Sequence, residues 1–404
     1  MNILICNYEY PPLGGGGGVV TAQLVEQLAG RHDLTVLTSR AFDLPEESRE
    51  NGAHIIRVPV LGRTKKAAGS LPSLLSYVPM AIRRGKALMG AKKFDVINTH
   101  FAVPTGPVGD VLAKHAGIPN ILSVHGGDLY DPSKWMSPHR HWILRRLIRG
   151  LLRRADRVVG QSSNTNANVG RFYTTDVEPV LIPLGIERPT IHPAKRADYG
   201  LAEDDVLLAT VGRLVARKAL GQLLDMLADL SRNTERSVKL LVIGTGPEEA
   251  ALKAQAAELG VAEHVHFLGA LSDQEKFDVL GMADLYVSSS QHEGFGLVFL
   301  EGMAAGLPVV CYDHGGQTDF LVDGETGYLI SLNDKEKLAR RIGELVIDGA
   351  LRQKIADTNR TRVERYFIEQ MALAYEELFE AAARDRGQTP KGRAGITVGA
   401  RQAA

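Results

Sequence analysis

Short apolar runs recur along the chain, separated by stretches in which apolar positions return every three or four residues. In the first half the runs are Asn2–Cys6, Leu34–Thr38, His54–Val58, Val96–Thr99, Ile121–Val124 and Val158–Gln161. Each is too short for a helix and is bounded by turn residues, which predicts buried strands. Between them Val19–Ala29 and Pro107–Ala116 have helical spacing, the latter closed by Gly117 and Pro119. Such alternation predicts a parallel sheet covered by helices on both faces. The proline-rich basic segment "IPLGIERPTIHPAKR" then breaks the pattern and predicts a linker. Beyond it strands are expected at Leu207–Val211, Leu240–Ile243, Val265–Phe267, Leu285–Val287 and Val309–Tyr312, with helices near 219–230, 247–259, 273–282, 297–305 and 334–348. The fold class is therefore α/β, with two tandem Rossmann-like doubly wound domains over 1–185 and 186–365. "VERYFIEQMALAYEELFEAAARDR" predicts one long helix, whose segment 366–386 closes the fold, and 387–404 lacks apolar periodicity and predicts a disordered tail.

A chain of 404 residues exceeds what one core usually holds, in keeping with two domains. With 23% charged residues and no low-complexity tract before the tail, disordered and fibrous classes are excluded. The start "MNILICNYEYPP" has no basic region, and no run reaches the ~18 apolar residues of a spanning helix, so a cytoplasmic location is expected. Cys6 and Cys311 each lie in a strand-like run far apart in sequence, which predicts buried free thiols.

The net charge of zero hides an asymmetry. Residues 1–185 carry 22 Lys and Arg against 14 Asp and Glu, a net +8, which the remainder offsets. "RHWILRRLIRGLLRRADR" concentrates seven arginines on an amphipathic pattern. Two readings compete: a surface helix packed on its own sheet with solvated arginines, or peripheral contact with an anionic membrane surface. The basic, apolar region 61–95 carries the same ambiguity between a membrane-proximal acceptor site and a packed helix pair. Nothing in the pattern points to nucleic acid.

In open parallel sheets ligands bind at the carboxyl ends of the strands. Five loops there attract attention. "YPPLGGGGGVV" runs five glycines into a helix start, where backbone N–H groups favour an anion; a flexible turn has the same composition. "SVHGGDLYD" places His125 and Asp128 at a strand end, and a histidine there can donate or accept a hydrogen bond. "VGRLVARK" sends Arg213 and Lys218 away from a strand, a fork and a point charge suited to a diphosphate. "VIGTGPEEAAL" reads mainly as turn chemistry. "HEGFGLVFLEGMAAGLPVV" sets Glu293 at a helix mouth and Glu301 about two turns in, where carboxylates can accept from the hydroxyls of a sugar and a ribose on either side of phosphates held by the Gly-Phe-Gly turn.

These residues resemble the retaining GT-B-fold glycosyltransferases that use nucleotide-diphosphate sugars, over residues 1 to about 385. The resemblance rests on the Glu293-x7-Glu301 element, "VGRL…RK", "VHFLGALSD", "DGETGYLI", the glycine loop and "VHGGD". It implies that Arg213 and Lys218 neutralise the donor diphosphate and that Glu301 holds the ribose. Glu293, Gly294 and the backbone of Phe295, Gly296 and Leu297 would orient the sugar and phosphates. The base would lie by Leu268 to Ala270. His125 would contact the transferred sugar, with Gly15 and Gly16 near the diphosphate when an interdomain cleft closes. It also implies a hydroxyl acceptor, no metal and no cofactor beyond the nucleotide-diphosphate sugar itself as co-substrate. The pattern departs at Ala219 and Leu184, where glycine and asparagine are usual, and at Tyr366-Phe367, which lack the frequent tryptophan.

Mechanistically a glycosidase-like carboxylate pair would have to converge to ~5 Å, whereas the helix path separates these two. Front-side transfer with retention, the leaving diphosphate helping to deprotonate the acceptor, is the expected chemistry. A lipid-linked or polysaccharide acceptor is favoured over a small soluble one. A sugar-nucleotide epimerase or hydrolase, and a non-catalytic sugar-nucleotide-binding scaffold, are the competing classes.

Overall fold

The computed structural model describes residues 1–387 apart from 67 and 133; the tail expected to be disordered lies, from 388 on, outside the described residues. The chain divides into two compact units, Met1–Gly185 joined by the chain from Ile368 onward, and Ile186–Phe367.

The first unit runs β1 (Asn2–Asn7), α1 (Gly16–Ala29), β2 (Asp33–Arg40), β3 (Glu47–Glu50), β4 (Ala53–Pro59), α2 (Leu71–Ala91), β5 (Val96–His100), α3 (Gly106–Ala116), β6 (Asn120–Val124), α4 (Trp142–Arg154), β7 (Arg157–Gly160), α5 (Ser163–Phe172) and β8 (Val180–Leu181). Its sheet has the order β3-β4-β2-β1-β5-β6-β7-β8. Every pairing is parallel except β3 with β4. The central strands β5 and β6 are buried along their whole length, as burial on both faces requires. β3 has no apolar residue to announce it; it is held by Arg57, a buried guanidinium that donates to Ser48 and Glu50. In region 61–95 the packed-helix reading holds for one face of α2. Ser73, Tyr77, Ala81 and Gly85 form its buried stripe, and a Cβ at Gly85 would lie 2.4 Å from Leu112 of α3. Leu71 and Leu75 on its other face are exposed.

The second unit runs β9 (Val206–Val211), α6 (Gly221–Asn233), β10 (Val238–Ile243), α7 (Glu249–Glu258), β11 (Val265–Gly269), α8 (Asp273–Met282), β12 (Leu285–Val287), α9 (Leu297–Ala304), β13 (Val309–Tyr312), β14 (Gly327–Ile330), α10 (Lys335–Ile347) and α11 (Gly349–Arg362). Its sheet is parallel throughout, in the order β11-β10-β9-β12-β13-β14. The order reverses about β9, so the loops after β9, β10 and β12 gather at one switch point. Both cysteines are buried free thiols, and burial pushes the Cys6 thiol up to about 12.

The expected long C-terminal helix is broken. Val363–Tyr366 is a 3-10 turn and Phe367 is extended at φ −78°, ψ 151°. Its neighbours are claimed by a bridge to Ile186, whose N–H donates to the Tyr366 carbonyl. α12 (Ile368–Gly387) starts afresh and belongs to the first unit. There Glu376 accepts from Arg31 and His32, and Tyr375 donates to Ser123 from a buried position.

Candidate functional site

The second unit builds its site from backbone outward. After β9 the chain passes Gly212 and a short 3-10 turn, Ala216–Lys218, before α6. A Cβ at Gly244 would stand 2.0 Å from the Gly212 carbonyl, and one at Gly246 would stand 2.2 Å from that of Leu214. Glycine at both places lets the loops after β9 and β10 touch backbone to backbone, sealed by Gly212 N–H to Ile243 and Leu214 N–H to Thr245. Lys218 folds back over Gly212, where a Cβ would meet its Nζ at 3.3 Å. Ala219 follows with φ +48°, the left-handed region that favours glycine; this is the conformational reason the glycine usual there is missed. Ser289 Oγ donates to the carbonyls of Lys218 and Ala219 at 3.0 and 2.9 Å and pins the turn against the loop after β12.

That loop carries Glu293, which is buried. Lys218 Nζ sits 2.5 Å from one of its oxygens and Arg217 Nη1 3.5 Å from the other. Burial raises the carboxyl's pKa, but Lys218 and Arg217 together outweigh it and hold the group below its usual value. Gly315, at φ +141°, brings the loop after β13 against Glu293; a Cβ there would lie 2.2 Å from the Glu293 carbonyl, which accepts from Gly316 N–H.

Gly296 is left-handed, φ +97°, so α9 starts only at Leu297 and Glu301 lies one turn inside it, not two. Phe295 turns its ring into the core against Phe320 and leaves backbone at the helix mouth. Glu301 accepts from Lys276 of α8 at 2.9 Å. Its other oxygen, Oε2, is buried without a hydrogen-bond partner among the described residues. Burial raises the Glu301 pKa more than Lys276 lowers it. Burial lowers the Lys276 pKa, but Glu301 and Asp273 outweigh that and raise it. Leu268, half-buried, and Ala270, exposed, close the edge strand β11, whose Gly269 carbonyl accepts from Gly244 N–H.

Arg213, expected to act with Lys218 on the diphosphate, has an exposed side chain that makes no polar contact among the described residues; Arg217 is the guanidinium at Glu293. The 3-10 turn aims Arg217 and Lys218 at one carboxylate, which spacing alone did not reveal. Lys276 also escaped the sequence reading, since its capping-turn setting in α8 looks like ordinary helix chemistry.

In the first unit the five glycines divide. Cβ atoms at Gly14, Gly17 and Gly18 would press on Glu9 or Phe101, whereas those at Gly15 and Gly16 would meet nothing within 4 Å. α1 begins at Gly16 with no side-chain cap. His125 follows β6, its ring 4.4 Å from that of Phe101. Burial lowers its pKa to about 4. Asp128 accepts from the N–H groups of Ala102 and His125 at 2.6 and 2.9 Å, with its own pKa raised by burial to about 6. It braces the two loops that carry Ala102 and His125. His264 Nδ1 donates to the Val238 carbonyl, and no group of three or more potential metal ligands occurs among the described residues.

The arginine-rich helix α4 packs one face and exposes another. Arg145 and Arg149 donate to the carbonyls of Phe172 and Tyr173 at the end of α5, and Arg154 pairs with Asp110. They serve as a C-cap in place of glycine. The apolar stripe packs Ile148, Leu151 and Leu152, yet Trp142 and Trp135 are each 74% exposed beside exposed Ile143 and Met136.

The family described as "Glycosyl transferase 4-like domain" matches residues 15–185, and "Glycosyl transferases group 1" matches 192–362. The chain belongs to the group 1, 4-like glycosyltransferases. It is 27% identical over 367 residues to a GDP-mannose-dependent alpha-(1-6)-phosphatidylinositol monomannoside mannosyltransferase of Mycolicibacterium smegmatis, covering 86% of this chain and 89% of that one. A D-inositol 3-phosphate glycosyltransferase of Stackebrandtia nassauensis is 29% identical, with 86% and 83% covered. In fold the glycosyltransferase resembles sucrose-phosphate synthase from Thermosynechococcus elongatus, at TM-score 0.81, 23% identity and coverage of 94% and 98%. Anabaena HepE, solved with UDP and glucose, gives 0.75 at 21% identity, with 94% and 100% covered. These neighbours are GT-B enzymes, and the two parallel α/β units are of that fold.

The Lys276–Glu301 pair generates a test. In Lys276→Met a buried carboxylate loses its counter-charge, a change that costs about 3 kcal/mol. The Glu301 pKa rises further above its unfolded value, so the deficit is small below that unfolded value and grows as pH rises through the folded one. Thermal melts should therefore show a larger loss against wild type at pH 8 than at pH 5, partly recovered in Lys276→Met/Glu301→Gln. An equal loss at both pH values would contradict the pairing.

Proposed function

We propose that this glycosyltransferase moves a sugar from a nucleotide-diphosphate sugar to a hydroxyl acceptor with retention at the anomeric carbon, in cell-surface polysaccharide or glycolipid synthesis. The observation that carries the proposal is the pair of carboxylates flanking the mouth of α9, each held by a lysine: Glu293 with Lys218, Glu301 with Lys276. Such a site holds cations in fixed positions for phosphates while keeping carboxylate oxygens as acceptors for hydroxyls. In this reading Lys218, Arg217 and the exposed fork of Arg213 neutralise the diphosphate. Glu301, through its unpartnered Oε2, takes the ribose, and Glu293 the sugar. The backbone of Gly294 to Leu297 meets phosphate, and Leu268 to Ala270 the base. His125, Gly15 and Gly16 are assigned to the sugar and phosphates from the first unit.

The diphosphate leaves with its charge on oxygens held by these cations, and one of those oxygens takes the acceptor's proton as the new glycosidic bond forms on the same face. Fixed cations placed where negative charge develops supply transition-state stabilisation. On this reading the cations do the work a metal would otherwise do, and no cofactor is required beyond the co-substrate. The named relatives include a GDP-mannose enzyme and a structure holding UDP, so the base is left to experiment.

The acceptor is proposed to be lipid-linked, met at an anionic bilayer on the cytoplasmic face. The support is the exposed cluster of Trp135, Met136, Trp142 and Ile143, with Arg146 of α4 lacking a partner among the described residues. Aromatic and cationic side chains together suit the interface between lipid and water. No described helix is long and apolar enough to span a membrane.

Three measurements test the proposal. Melting temperature should rise with one nucleoside diphosphate series, by an amount set by occupancy. The rise should be lost in Lys218→Ala and Glu301→Ala, and the product anomer seen by NMR should match the donor. An inverted product, or product formed without acceptor, would sink the transfer mechanism. For the membrane, both tryptophans of the chain lie in the proposed patch. Their fluorescence should shift to the blue with phosphatidylglycerol vesicles and stay unchanged with phosphatidylcholine vesicles; no shift with either contradicts docking there.

A further inference from the structure

We propose that Asn98, acting through His100, sets the tautomer of His125, so that its Nδ1 is a bare hydrogen-bond acceptor facing the glycine-rich first turn of α1. The consequence for catalysis rests on the assignment of His125 to the sugar; the tautomer itself does not.

The chain of polar atoms starts where no choice exists. Asn98 Nδ2 lies 3.2 Å from the Ile121 carbonyl and 3.0 Å from Ser123 Oγ. A carbonyl can only accept, so the amide nitrogen must face it and Oδ1 must face the other way. Oδ1 stands 2.7 Å from His100 Nε2. Two acceptors at that distance would repel, so His100 carries its proton on Nε2.

His100 is fully buried, and burial, then the neighbouring His125, lower its pKa well below the ordinary value. It is neutral, so its Nδ1 has no proton. His125 Nε2 lies 2.9 Å from that Nδ1. The only proton available to the contact is on His125 Nε2, and His125 therefore has a bare Nδ1. Thr21 Oγ1, 3.3 Å from His100 Nδ1, is the one other group in reach among the described residues; it accepts from Asn7 and turns its own proton to the Gly17 carbonyl at 2.8 Å. The opposite tautomer would leave the 2.7 Å contact between two lone pairs, a greater cost than the 3.3 Å one.

His125 Nδ1 is the end of this relay. It is buried and has no hydrogen-bond partner among the described residues. It points at Gly17, where a Cβ would come within 3.6 Å. A buried bare nitrogen is tolerated better than a buried unpaired N–H, which favours the same tautomer independently. His125 would then accept a hydrogen bond from a sugar hydroxyl and donate none. Asn98 and His100 are positioning residues, two apart on β5 and so on one face of the sheet.

Imidazole nitrogen NMR on the full chain, with His125→Gln used only to assign the resonance, tests this directly. Wild type should show His125 Nε2 protonated and Nδ1 bare. Asn98→Leu removes the terminal acceptor and should raise the fraction of His100 and His125 in the opposite tautomers. Asn98→Asp keeps an acceptor and should preserve them. A proton on His125 Nδ1 in wild type overturns the proposal, as does a folded Asn98→Leu protein with unchanged tautomers. If Asn98→Leu does not fold, the wild-type and Asn98→Asp spectra still decide. With donor and acceptor, Asn98→Leu should lower kcat/KM roughly tenfold, the scale of one hydrogen bond, with recovery in Asn98→Asp. A protein without transferase activity but with the stated tautomers would refute the functional reading and leave the relay standing.

Discussion

The site in the second unit depends on one electrostatic arrangement: a buried and a half-buried carboxylate at the switch point of a parallel sheet, each neutralised by a lysine from another element. An ionised Glu293 at 8% exposure would be costly alone. Lys218 and Arg217 make it tolerable, and Glu293 in turn fixes the rotamer of a lysine that would otherwise be a flexible chain in solvent. Neutralisation and positioning are the same interaction. Glu301 and Lys276 repeat it one helical turn along, with the balance tipped differently, because burial outweighs the lysine there and leaves the carboxyl raised.

Glycine permits the arrangement. Close approach of backbone to backbone, at Gly244 against Gly212 and at Gly315 against Glu293, lets four strand ends converge without intervening side chains. Any Cβ at these places would push the lysine turn away from the carboxylate loop. The first unit uses the same residue differently: Gly17 clears space for Phe101 and His125, while Gly15 and Gly16 leave the start of α1 open. A single run of five identical residues thus holds two kinds of position, separable only by what each would touch.

The doubly wound architecture was legible because burial on both faces writes each inner strand as an apolar run. β3 and β8 were not, since one lacks apolar residues and the other is two residues long. The break at Phe367 was hidden because a good helical pattern continues through it, and only the long-range bridge to Ile186 interrupts it. At the site, Glu293, Glu301 and Lys218 stood out by resemblance and by position after strands. Arg217 did not, because which of two neighbouring guanidinium groups turns inward is a property of the 3-10 turn. Lys276 had no local signal, its partner lying 25 residues away. Asn98 and His100 did carry one: polar residues alternating within the buried strand β5, cut short in the reading at Thr99.

The central claim is that fixed cations in the second unit receive the phosphates of the donor. Calorimetric affinities for a nucleoside, its monophosphate and its diphosphate, each at low and high salt, test it most directly. The account predicts affinity that climbs with each phosphate and that weakens with salt for the diphosphate far more than for the nucleoside, since charge pairing is screened. Equal affinities along the series, with no dependence on salt, would contradict it.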